Sequence, residues 1–126
     1  MKYWLLSAAA LALAGCAGSY QVDSNLDGAA IQDYFVPSRV AVYSPDALAG
    51  KPYRSLGLVQ GQHCQQAANA PPASLAEART DARRQAYQLG GNGIVFRQCL
   101  LLSEDAAPGC LSQALCQGEA IWRESP

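Results

Sequence analysis

Cys64, Cys99, Cys110 and Cys116, all in the second half of a 126-residue chain, restrict its fold more than any other feature. The backbone has to bring these thiols together in pairs, around a metal, or into separate buried positions. No two are spaced as CxxC, which excludes a dithiol redox centre of that type, and there is no CxxCH for haem attachment. Zinc held by these thiols and the sole histidine, His63, is disfavoured because His63 stands directly beside Cys64. A fifth cysteine, Cys16, makes the count odd. The 9 basic and 10 acidic residues give a net charge of -1, which excludes a nucleic-acid binder driven by overall charge. The length suits one domain, and no 18-residue apolar run spans a membrane.

The N-terminus explains Cys16. A basic start at Lys2, an apolar stretch from Tyr3 to Leu13 and a small-residue ending form the pattern of an export signal over residues 1–15. Leu13-Ala14-Gly15-Cys16 resembles the lipobox of bacterial lipoproteins, where the cysteine receives a diacylglyceryl group before cleavage. Removing 15 of 126 residues leaves 111, and losing Lys2 leaves 8 basic against 10 acidic residues, a charge of -2. The covalent lipid on Cys16 is the one attached group expected, with no metal and no other cofactor. Two or three acyl chains hold a protein firmly on a membrane. Ala17, rather than Asp, follows the cysteine, which favours the outer over the inner membrane. In an exported chain the remaining even set of cysteines reads as disulfides.

Residues 17–38 read as an acidic tether, with Asp23, Asp27 and Asp33, no basic residue and no strong periodicity; Ile31, Tyr34, Phe35 and Val36 are apolar exceptions suited to docking on the domain. The domain covers residues 39–126. Strand candidates fall at 39–43, 56–60, 94–102 and 113–121, with one helical turn at 44–48 and loops at 65–73 and 103–112. His63 falls outside these strands, as a loop residue. The clearest element is a helix from Ser74, where Ser74-Leu75-Ala76-Glu77 forms a capping box with Glu77 reaching back. Its apolar stripe is Leu75, Ala78, Ala82, Ala86 and Leu89, and Gly90-Gly91-Asn92-Gly93 ends it. Arg79, Arg83 and Arg84 face outward, either as a solvated face or as contacts for a partner or for phosphorylated lipid headgroups. The fold class is α+β: a small open-faced sheet in ββαββ order, one main helix packed on it, stapled by two disulfides.

The strand positions also select the pairing. If the last two strands form a hairpin centred between Ala107 and Pro108, opposed residues have numbers summing to 215, and Cys99 with Cys116 meets that condition. A strand–helix–strand unit makes the second and third strands parallel, so both end at one edge of the sheet. Cys64 just past one and Cys110 just past the other meet there. The predicted bonds are Cys64–Cys110 and Cys99–Cys116.

Further segments carry a family resemblance. The lipobox, Gly50-Lys51-Pro52-Tyr53-Arg54-Ser55-Leu56-Gly57, the Pro71-Pro72 loop, Pro108-Gly109-Cys110 and Gln113-Ala114-Leu115-Cys116-Gln117-Gly118 together resemble the RcsF family over roughly residues 40–121. The four-cysteine spacing is the most specific part, and the family's two non-consecutive disulfides map onto the same pairs. The resemblance implies a non-enzymatic outer-membrane lipoprotein that senses envelope stress for the Rcs phosphorelay. The partners it implies are BamA and outer-membrane β-barrels, and the inner-membrane regulator IgaA. The family's better-known members have a longer, Pro-rich, basic tether. Here 22 residues reach about 75 Å fully extended and about 26 Å as a coil, against a bilayer of about 40–45 Å. The domain is therefore expected mainly on the periplasmic side. A structural lipoprotein without signalling is the alternative, and a thiol or zinc enzyme is a third reading that free-thiol titration separates.

Overall fold

The computed structural model describes residues 28–124; the export signal, Cys16 and residues 17–27 of the tether lie outside them. The elements are α1 (Gly28–Phe35), a 3-10 turn (Val36–Arg39), β1 (Ala41–Val42), α2 (Pro45–Leu48), β2 (Arg54–Gln65), α3 (Leu75–Gln88), β3 (Gly93–Leu102) and β4 (Ser112–Trp122). The four strands form one sheet in the order β1-β3-β4-β2. β4 is antiparallel to both β2 and β3, and β1 is parallel to β3. β2 and β3 therefore run in the same direction, as a strand–helix–strand unit requires, with β4 between them. This is the mixed α and β fold that the sequence predicts, an open-faced sheet with one main helix packed on it and two disulfides.

Three boundaries differ from the sequence reading. The end of the expected tether is helical: α1 is exposed along its length, with Asp33 facing Arg84 at 4.0 Å and Gln32 accepting from Arg39 at 3.5 Å. Arg39 belongs to the 3-10 turn, whose Pro37 is buried and accepts the Val40 N–H at 3.1 Å, so the first strand starts later. β2 runs on to Gln65 because β4 pairs with it along its length, from Arg54↔Trp122 to Gln65↔Ser112. His63 is consequently a strand residue.

α3 packs on one face of the sheet through small residues. Ala78, Ala82 and Ala86 are fully buried, whereas Leu75 and Leu89 at the stripe's ends stay exposed. The close approach rests on Gly61: a Cβ there would stand 1.9 Å from the Ala78 carbonyl oxygen. Ala82, Ala86, Val59, Ile94, Ala120 and Val40 form the central cluster, and Ala73, Ala78, Ala114 and Cys116 a second. On the other face only Leu48, Val95 and Ile121 cluster, beneath α2.

The helix start departs from a full capping box. Ser74 Oγ accepts the Glu77 N–H at 3.4 Å, but the Ser74 N–H donates to His63 Nδ1 at 3.1 Å rather than to Glu77. His63 thus ties β2 to the helix N-terminus. At the other end Gly90 takes φ 86°, the left-handed conformation that stops a helix.

Candidate functional site

The structure joins Cys64 to Cys110 and Cys99 to Cys116, with Cα separations of 5.4 and 4.1 Å. Cys99 and Cys116 are opposed in the β3–β4 register, and every pair from Leu102↔Gln113 to Gln98↔Gln117 keeps the expected index sum. Nearer the start of β3, a bulge at Arg97 shifts the register by one, so that Phe96 faces Gly118. All four thiols are bonded and His63 Nδ1 accepts from Ser74, so no thiolate of this set is available to hold zinc.

The three arginines singled out on α3 do not form one cationic patch. Arg83 is half-buried and donates twice to the Val40 carbonyl, from Nε at 3.0 Å and from Nη2 at 2.7 Å, locking the helix to the chain entering β1. Arg84, also half-buried, lies between Asp33 of α1 and Asp81, at 4.0 and 3.8 Å. Their outward projection is thereby corrected: Arg83 is hydrogen-bonded to a carbonyl of its own chain, and Arg84 lies near two carboxylates while its Nε is buried with no hydrogen-bond partner among the described residues. Arg79 is exposed and sits over the Phe96 ring at 5.0 Å.

The face of the sheet away from α3 carries two shallow grooves. Its centre is an ion pair in which Arg97 donates to Glu119 at 2.6 Å. This bond, followed by one from Ser55, holds the Glu119 carboxyl below its usual 4.5. Arg97 divides the two grooves. One, of about 400 Å³, is lined by Leu58, Gln60, Gln117 and Arg97; the other, of about 290 Å³, lies between Arg97, Val95 and the α2 turn with Lys51 and Tyr53. Leu58 is 81% exposed there. Amides, one guanidinium and aliphatic side chains suit non-covalent contact with a partner. Arg54 lies over Trp122 at 5.5 Å, and Tyr53 is exposed beside them.

The sequence reading missed Arg97, Glu119 and Gly61. Arg97 and Glu119 are the lone charges of β3 and β4, which is a usable signal; the bulge hid their proximity because their numbers do not sum to 215. Gly61 gave no signal apart from alternation with polar Gln60 and Gln62.

Among the described residues no helix is long and apolar enough to cross a membrane. The family model described as RcsF lipoprotein matches residues 13–123, from the lipobox to just past β4. The chain is 35% identical over 83 residues to the outer membrane lipoprotein RcsF of Escherichia coli strain K12, covering 65% of this chain and 60% of that protein. The same figures hold for outer membrane lipoprotein RcsF of Escherichia coli O6:H1. The match therefore spans less than two thirds of these relatives' own length. On the extent of the family match, this chain belongs to the RcsF lipoprotein family.

Proposed function

We propose that this protein is lipidated at Cys16, resides at the outer membrane and reports envelope stress to the Rcs phosphorelay through the inner-membrane regulator IgaA, without enzymatic chemistry. The supporting observation is that one family match runs unbroken through the lipobox and the whole disulfide-stapled domain. In this reading BamA and outer-membrane β-barrels are its partners in the unstressed cell. The domain works mainly on the periplasmic side. Helical α1 leaves 11 residues, 17–27, between Cys16 and Gly28, and these twelve steps reach only about 40–43 Å at full extension, about one bilayer of 40–45 Å with no slack.

The test is a deletion strain challenged with outer-membrane damage and read for phosphorelay output. The wild-type gene is expected to restore the response, and Cys16→Ser to release the protein from the outer membrane and change that output. A full stress response in the deletion strain, or normal outer-membrane fractionation of Cys16→Ser, contradicts the proposal.

A further inference from the structure

The two outer edges of the sheet are finished differently. β2 turns the N–H groups of Gln60 and Gln62 outward, and α3 takes them: Gln85 Oε1 accepts from Gln60 at 3.3 Å and Asp81 Oδ2 accepts from Gln62 at 3.0 Å. Gln85 Nε2 also donates to the Gln60 carbonyl at 2.7 Å. At the opposite side, β1 pairs with β3 only as far as Val42↔Ile94.

Beyond the bulge, β3 continues with Cys99↔Cys116 and Leu101↔Ala114. Cys116 and Ala114 are opposite Gly61 and His63 of β2, whose neighbours Gln60 and Gln62 point outward. These β4 residues thus bond towards β2, which turns the N–H and C=O groups of Cys99 and Leu101 away from the sheet. Among the described residues no strand lies beyond this edge. Its side chains include the run Leu100-Leu101-Leu102, with Leu100 45% and Leu101 60% exposed. A straight apolar edge of this kind is a template for another strand.

The charges flanking the run indicate which strand. Arg97 stands at one end, and Glu104 and Asp105 stand just past the other. An antiparallel copy of the same strand centred on Leu101 sets Leu101 against Leu101 and Leu100 against Leu102, and brings the bend carrying Glu104 and Asp105 to the end where the other copy's Arg97 stands. The outward amide of residue 101 then falls in a bonded pair, and acidic and basic groups meet at both ends, since Arg97 stays 52% exposed beside its bond to Glu119 and keeps N–H groups for the second copy. A parallel copy in register sets like charges together.

We propose that the β3 edge binds the β3 edge of a second copy of this chain, extending the sheet across a two-fold axis. One strand edge with its leucines is smaller than the roughly 1,200 Å² of a standard stable interface. The pairing is therefore weak in dilute solution and is favoured where lipid anchors concentrate the copies on one membrane.

The test uses the full-length lipidated protein in native membranes, expressed as two differently tagged copies with a photo-crosslinking residue at position 101. The expected product has twice the chain mass and carries both tags. Arg97→Glu alone, or E104R/D105R alone, lowers its yield at least fivefold, and co-expressing the two variants restores it, because opposite charges meet again only in the mixed pair. E104R/D105R lies in the exposed loop past the strand, so its folding is checked simply by intact disulfides. Absence of a doubly tagged product, crosslinking to a different protein instead, or insensitivity to both variants overturns the proposal.

Discussion

The β2 edge and the outer β3 edge belong to the same four-stranded sheet, yet only β2 is closed by side chains. On β2, Asp81 and Gln85 of α3 occupy the outward amides of Gln60 and Gln62, and Gly61 lets the helix come close enough to do so. On β3 the helix side contributes Arg79 over the Phe96 ring, which covers a side chain and leaves the backbone of Cys99 and Leu101 unbonded by any described side chain. Edge protection here is thus a by-product of where the helix docks. A glycine in one strand draws the helix towards that strand, and the far edge is left for intermolecular use.

The largest effects are expected from the disulfides, one per edge. Removing Cys64–Cys110, with a sequence separation of 46, frees the end of β2; removing Cys99–Cys116, with a separation of 17, frees the middle of β3. Chain entropy assigns these about 4 and about 3 kcal/mol. Denaturant unfolding of the paired Cys→Ala variants should rank them in that order. Equal losses, or a larger loss for the β3 bridge, would show that the open strand depends on its staple by more than chain entropy assigns.

Next is Gly61→Ala, which pushes α3 off β2 and is expected to cost about 2–3 kcal/mol by overpacking. It should also raise amide exchange at Gln60 and Gln62. Asp81→Ala and Gln85→Ala each leave edge amides without their acceptor and should cost about 1 kcal/mol, chiefly through hydrogen bonding. Both should make β2 a second site of self-association, seen as higher oligomers beyond the dimer. If neither changes the oligomer distribution, the side-chain guard is not what keeps β2 unpaired.

The smallest effect concerns Glu119, between the edges. Its folded carboxyl titrates below the usual 4.5, first through the Arg97 bond and then through Ser55. The sign follows from that direction: the stabilisation is present above the unfolded value and is lost as pH falls through the lower folded value. Since Arg97 is half exposed, with 52% of its side chain accessible, solvent screening keeps the pair to less than about 1 kcal/mol. Urea unfolding of wild type and Glu119→Gln should differ at pH 7, and the difference should shrink as pH falls below 4.5 and vanish below the lowered folded value.

Much of this was legible in the sequence. Ser74 and Gly90 bracket the helix because capping and stopping are local chemistry, and the hairpin register follows from two cysteine numbers. Other features depended on tertiary partners. The reach of β2 to Gln65 is set by β4 lying beside it, not by the polar run Gln60-Gly61-Gln62-His63. His63 replaced Glu77 at the Ser74 N–H because the strand delivers it there. Arg83 and Arg84 look solvated on a helical projection, yet the Val40 carbonyl and Asp33 approach them from segments distant in sequence or assigned to a tether. The bulge at Arg97 has no glycine to announce it, and it conceals the Arg97–Glu119 pair.

Residue-resolved amide hydrogen exchange across a dilution series of the full-length protein reads the edge asymmetry strand by strand. The expected result is slow exchange at Gln60 and Gln62 at every concentration, with exchange at Cys99 and Leu101 fast when dilute and that at Leu101 slowing as concentration rises. Protection of Leu101 that is independent of concentration, or fast exchange at Gln60 and Gln62, would rule the asymmetry out.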